Sequence, residues 1–193
     1  MFKNIQIKSL LLAAVVFLSS CEKEDPAHIH EGEVITTLEV TVTNQADDSQ
    51  VIYEFEAEHD DHDNQGNDHG EHEAIELDSN STYTFEVRFL NESDPDNIED
   101  ITVEVIEEAD EHQVFFELEG SSITINAASD DHKDSSNNPL HIKTVWETTT
   151  AGEVDVIAYL IHEPTSKTGN SRNDFGGSVD AEIEFEAHVE DTP

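Results

Sequence analysis

Near the C-terminus, Val179, Ala181, Ile183, Phe185, Ala187 and Val189 alternate with Asp180, Glu182, Glu184, Glu186 and His188. Successive side chains of a strand point to opposite faces, whereas a helical period would scatter these acids all around the axis. The run therefore predicts a half-buried β-strand with an apolar row facing in and an acidic stripe, Asp180 included, facing water.

Other runs repeat the pattern. In 34–43, Val34, Leu38, Val40 and Val42 share one face; after a polar turn, Val51, Tyr53, Phe55 and Ala57 form the next inward set, so the two runs read as a hairpin. Tyr83, Phe85, Val87 and Phe89 oppose Thr84, Glu86 and Arg88. Val114–Leu118 and Ile123–Ala127 read as a second hairpin around Glu119-Gly120-Ser121. Leu140, Ile142, Thr144 and Trp146 precede Val154, Val156, Ala158 and Leu160, with a join at Ala151-Gly152. In the latter run Ile157, Tyr159 and Ile161 are apolar as well, which predicts a strand covered on both sides. Within 91–112 the spacing of Ile98, Ile101 and Val105 favours one short helix.

Eight or nine short strands, turn signals between them and at most one short helix predict an all-β, Ig-like antiparallel β-sandwich over 34–193. The Cys…Trp…Cys signature of antibody domains is missing, since Cys21 is the only cysteine. For the same reason neither a disulfide framework nor a thiolate metal cluster is available.

The chain carries a formal charge of −38. Such a surface repels nucleic acid and anionic lipid and attracts cations, so DNA and RNA are excluded as partners. No nucleophile elbow, Walker loop or dinucleotide fingerprint occurs, and the chain is read as a non-enzyme.

The first twenty residues read as a signal peptide. Lys3 and Lys8 supply its positive end, and the apolar run Leu10–Leu18 is too short to span a bilayer core of about 30 Å. Leu18-Ser19-Ser20-Cys21 resembles the lipobox of bacterial lipoproteins, and Cys21-Glu22-Lys23-Glu24-Asp25 resembles the export signal of Bacteroidetes-type surface lipoproteins. Glu33-Val-Ile-Thr-Thr-Leu-Glu-Val-Thr, Phe89-Leu-Asn-Glu-Ser, Glu108-Ala-Asp-Glu-His-Gln-Val-Phe-Phe and Asn138-Pro-Leu extend the resemblance to small lipoproteins of that type. The resemblance implies cleavage before Cys21, a lipid on its thiol, residues 21–33 as a charged tether, and a domain on the outer face of the outer membrane. Members of that group resemble companions of outer-membrane uptake receptors, which makes such a receptor an expected partner. Lipid at Cys21 would anchor the chain to the membrane without a transmembrane helix.

Residues 58–73 carry the sharpest chemical signal. His59, His62, His69 and His72 form two His-x-x-His pairs among carboxylates, with no apolar residue between Glu58 and Glu73. Imidazole and carboxylate on a turn-forming loop suit a borderline divalent cation, Zn2+ foremost, with Asp61 and Glu71 as assisting ligands. Calcium is the competing ion: Asp61-x-Asp63-x-Gln65-Gly66 covers half of an EF-hand pattern, and Asp130, Asp131 and Asp134 offer oxygen ligands in loop 129–139. His112, His132, His141, His162 and His188 are scattered, and each reads as a surface or packing residue. The expected function is a surface-anchored lipoprotein that binds divalent metal through loop 58–73 and assists outer-membrane metal uptake. The alternative is an Ig-like adhesion, glycan-binding or protein-interaction module, acidic for solubility or stiffened by calcium.

Overall fold

A computed structural model describes residues 33–57 and 74–191. Cys21 and the loop ligands His59, Asp61, His62, His69, Glu71 and His72 lie outside these described residues. The described residues form a β-sandwich of ten strands: β1 Thr37–Asn44, β2 Gln50–Glu56, β3 Ile75–Asp78, β4 Thr82–Asn91, β5 Glu99–Asp100, β6 His112–Glu119, β7 Ile123–Ala127, β8 Lys143–Thr148, β9 Gly152–His162 and β10 Ser178–Glu190. One sheet has the order β2-β1-β4-β8-β7, with β5 on β4; the other has the order β3-β10-β9-β6. All pairs are antiparallel except β3 and β10, which run parallel. Two helices interrupt the strands, α1 Thr102–Glu107 and α2 Arg172–Phe175.

The inward rows of the two sheets meet as the alternation requires. Leu38, Val40, Val42, Phe85, Val87 and Trp146 come from one layer, and Val114, Val156, Ala158, Ile183 and Phe185 from the other, all buried. Aromatic contacts tie the layers. Phe55 of β2 stacks on Phe185 of β10 with ring centres 4.5 Å apart, and Trp146 stacks on Phe85 while meeting the edge of Phe116 across the gap. The Trp146 indole N–H donates to Thr144 Oγ1, so its polar edge is satisfied inside the core.

The β1–β2 hairpin forms as the alternation predicts, with Thr37 opposite Glu56. At its start, however, Ile35 is buried and Val34 is exposed, because a strand begins only at Thr37 and the period does not extend back to Val34. The two later connections do not make hairpins. β6 pairs with β9 and β7 with β8, so Gly120–Ser122 carries the chain from one sheet to the other, and 149–151 carries it back. A turn signal marks a reversal but not which sheet receives the next strand. Helix α1 forms in the stretch read as helical, whereas α2 arises in a Gly- and Asn-rich loop. There a Ser171–Asp174 capping box folds one turn that carries Phe175 onto β9. Phe175 with Tyr159, Ile161 and Phe115 covers the outer side of β9, so that strand is buried on both faces as its composition predicts.

Candidate metal centre

The inward row of β6 runs His112, Val114, Phe116 and Leu118, and that of β9 ends Ala158, Leu160, His162. Parity therefore points both histidines into the space between the sheets, at the end where the apolar rows run out. His112 and His162 are cross-strand partners, and their rings stack with centres 4.9 Å apart.

The third residue arrives through a β-bulge. Val179 pairs with Ile161 and Ala181 with Leu160, so Asp180 is the extra residue between them. A bulge re-aims a side chain. Asp180 leaves the acidic outer stripe where the alternation places it and turns toward the histidines; Val179, read as inward, is exposed instead. Gly177 makes this start of β10 feasible. Its φ is +65°, and a Cβ there would run into the His162 carbonyl oxygen. The fourth residue, Glu33, comes from the segment that leads into β1, on the other layer of the sandwich.

These groups converge on one small space between the sheets. His112 Nε2 lies 3.5 Å from Glu33 Oε1 and 3.8 Å from Asp180 Oδ2, and His162 Nδ1 lies 3.8 Å from Asp180 Oδ1. Side-chain exposures are 1% for His112, 12% for Glu33, 13% for Asp180 and 17% for His162, so water offers little screening. His112 Nδ1 lies 3.3 Å from the Glu108 carbonyl oxygen, to which it can only donate. Burial holds the His112 pKa below its ordinary value, more than the Glu108 carbonyl and Asp180 raise it. The ring is then neutral, with its Nε2 lone pair facing two carboxylates. Neither His112 Nε2 nor Glu33 Oε2 has a hydrogen-bond partner among the described residues. Burial, then Asp180, Glu104 and Glu108, push the Glu33 carboxyl up to about 7. Acceptor facing acceptor in a closed space calls for a cation, either a proton or a metal ion.

One ligand atom from each of Glu33, His112 and Asp180 can be chosen so that all three lie within 4.8 Å of one another. A second group, Glu111, His162 and Glu163, meets the same condition, so acid and imidazole continue from the first group along the strand ends. Lys167 braces the centre from outside: its ammonium donates to the carbonyl oxygens of Ala109 and His112, fixing the turn that delivers His112.

The oxygen-rich loop 129–139 is organised differently. Asp131 accepts the amides of His141 and Lys143, and Asp134 accepts those of Ser136 and Asn138 together with the Asn138 side chain. Its carboxylates close a turn and do not converge on a calcium-sized gap. Among the other scattered histidines, His188 faces Glu76 and Glu186 on the outer sheet surface, and His141 Nδ1 accepts from the Gln113 side-chain amide.

Sequence reading passed over His112 and His162 because each stands alone, yet both occupy inward positions of an alternating run. A histidine at the last inward position of a core strand is the signal that could have found them. Asp180 carries no such signal, since a bulge is invisible in the alternation. Compared with known proteins, the chain matches no family model, no curated protein and no solved structure.

Proposed function

We propose that this chain is a lipid-anchored surface lipoprotein whose domain captures a divalent transition metal, zinc foremost, beside an outer-membrane uptake receptor. The observation that carries the reading is the convergence of Glu33, His112 and Asp180 at one end of the sandwich, where the buried His112 Nε2 finds no hydrogen-bond partner among the described residues. β2 ends close to the segment that carries Glu33: the Ala57 amide donates to the Thr36 carbonyl, three residues from Glu33. The histidines His59, His62, His69 and His72 follow directly in sequence. A net charge of −38 draws cations toward the surface. The chemistry is capture without bond making: ligands are deprotonated, exchange water for metal, and release it to a partner of higher affinity. Cys21 carries the anchor in this reading.

Isothermal titration of the chain from residue 22 onward with zinc tests the proposal. Saturable zinc uptake that calcium at equal concentration does not displace is expected. Heats no larger than those of dilution would leave an acidic interaction module in its place. In cells, Cys21→Ser should shift the protein from the membrane fraction to the soluble one.

A further inference from the structure

We infer that Glu33, His112 and Asp180 form a second, closed metal site, independent of loop 58–73, in which a zinc-class ion clasps the two sheets together. The inference rests on the metal-binding reading above and deepens it by assigning ligands and a structural consequence.

His112 is the anchor. At 1% side-chain exposure, its Nε2 has no hydrogen-bond partner among the described residues and faces Glu33 Oε1 and Asp180 Oδ2 at 3.5 and 3.8 Å. Hydrogen bonds between such atoms would be about 2.7–3.0 Å long, so the gaps are too wide for them. Donors on a tetrahedral ion with bonds of about 2.0–2.1 Å stand roughly 3.3 Å apart. The two separations from His112 exceed that value by about 0.2 and 0.5 Å, and the three ligand atoms lie within 4.8 Å of one another, so the side chains need only draw inward to hold the ion.

The orientation of the His112 ring is already set. The Glu108 carbonyl holds the His112 proton on Nδ1 and leaves Nε2 free to bind, the arrangement metal-bound histidines adopt. Asp180 divides its oxygens, Oδ2 toward His112 and Oδ1 toward His162 Nδ1. His162 thus stands beside the other oxygen of the carboxylate, at 3.8 Å. A water completes four-coordination. One imidazole with two carboxylates favours zinc over manganese by the usual affinity order, and a three-ligand pocket is too small for the six to eight oxygens calcium takes.

The ligands come from both layers. His112 and Asp180 belong to the four-stranded sheet, while Glu33 leads into β1 of the other. Without a cation, burial and then the charges of Asp180, Glu104 and Glu108 disfavour an ionised Glu33 at this end. With one, Glu33 and Asp180 bind the same ion as His112 and join the two layers.

The test compares three forms of the chain from residue 22 onward: unchanged, with His59, His62, His69 and His72 all changed to alanine, and with Glu33→Gln and Asp180→Asn together. The last pair keeps the shapes and removes the charges, and its circular dichroism and melting curve without metal report whether it folds. Zinc affinity is read by isothermal titration against a chelator, and cobalt(II) absorption reports ligand geometry. The loop variant should still bind one zinc ion and melt higher with it. The Glu33→Gln, Asp180→Asn form should lose that site by about 100-fold or more in affinity, ligand loss costing at least as much as loss of a supporting contact. Cobalt bound to the loop variant should show the intense visible bands of a four-coordinate ion, a readout that does not require the charge-removing form to fold. Zinc bound by the unchanged chain but not by the loop variant would overturn the inference and leave the loop reading standing. Zinc bound by neither would overturn both.

Discussion

A neutral imidazole buried against two carboxylates is an arrangement that folding alone does not favour, and His112 sits in one. The consequence for stability has a definite sign at Glu33. Its folded value of about 7 exceeds the ordinary 4.5, because burial and three neighbouring acids favour the protonated form. The contribution of that protonated form is complete below about 4.5 and is lost as pH rises through 7. His112 acts oppositely: its value is lowered by burial, so its contribution is complete above 6.5 and is lost as pH falls. Glu33→Gln removes the first dependence. Without metal it should melt higher than the unchanged chain at pH 8, by about 2–4 °C for each kcal/mol in a domain of this size, and the gain should vanish by pH 4.5. Differential scanning calorimetry across that range checks it; an equal gain at every pH would contradict it. Lys167 is the second residue-scale case. Its ammonium serves the carbonyls of Ala109 and His112, so Lys167→Met keeps the length but strands two acceptors. The expected cost is about 1–3 kcal/mol in urea unfolding. At this scale the sequence was partly legible. The inward parity of His112 and His162 could be read, but Glu33, which looks like the last residue of a tether, reveals its role only when the other layer is placed beside it.

Among the elements, β10 decides the geometry of the centre. Its alternation from Ala181 to Val189 predicts the observed burial residue by residue, because a strand with one wet face has a single workable register. The bulge at Asp180 breaks that register for the first three residues, and it is fixed by contacts with β9 that no local pattern encodes. Gly177 is the pivot. Gly177→Ala puts a side chain into the His162 carbonyl at a positive φ and should cost about 1–3 kcal/mol. It should also weaken zinc binding, since Asp180 would shift with the strand; unchanged affinity alongside lowered stability would separate the bulge from the site. The connections after β6 and β8 teach a related lesson. Both were legible as turns, yet sheet choice depends on which apolar rows pack best across the sandwich, as Trp146 does between Phe85 and Phe116. Phe175 marks the other limit. Its one-turn helix is set by the Ser171–Asp174 box, and Phe175→Ala should uncover Tyr159 and Ile161 at a cost of about 3–5 kcal/mol.

At the scale of the molecule, a chain with a formal charge of −38 packs an apolar sandwich and gathers Glu33, His112 and Asp180 at one buried end. The layered fold was legible because alternation recurs in nearly every strand. The candidate centre was not, because its ligands lie far apart in sequence and meet only when both sheets close. If a cation completes that closure, zinc at a hundredfold excess over its Kd should add about 2.7 kcal/mol, and so raise the melting temperature by roughly 5–10 °C. The most direct measurement is an anomalous difference map, recorded at the zinc edge, from a crystal grown with zinc. The account predicts a peak bounded by Glu33, His112 and Asp180, with His112 Nε2 about 2.0–2.1 Å from it. Zinc density elsewhere on the chain, with Glu33 and Asp180 still 3.5 and 3.8 Å from His112 Nε2 and nothing between them, would contradict it.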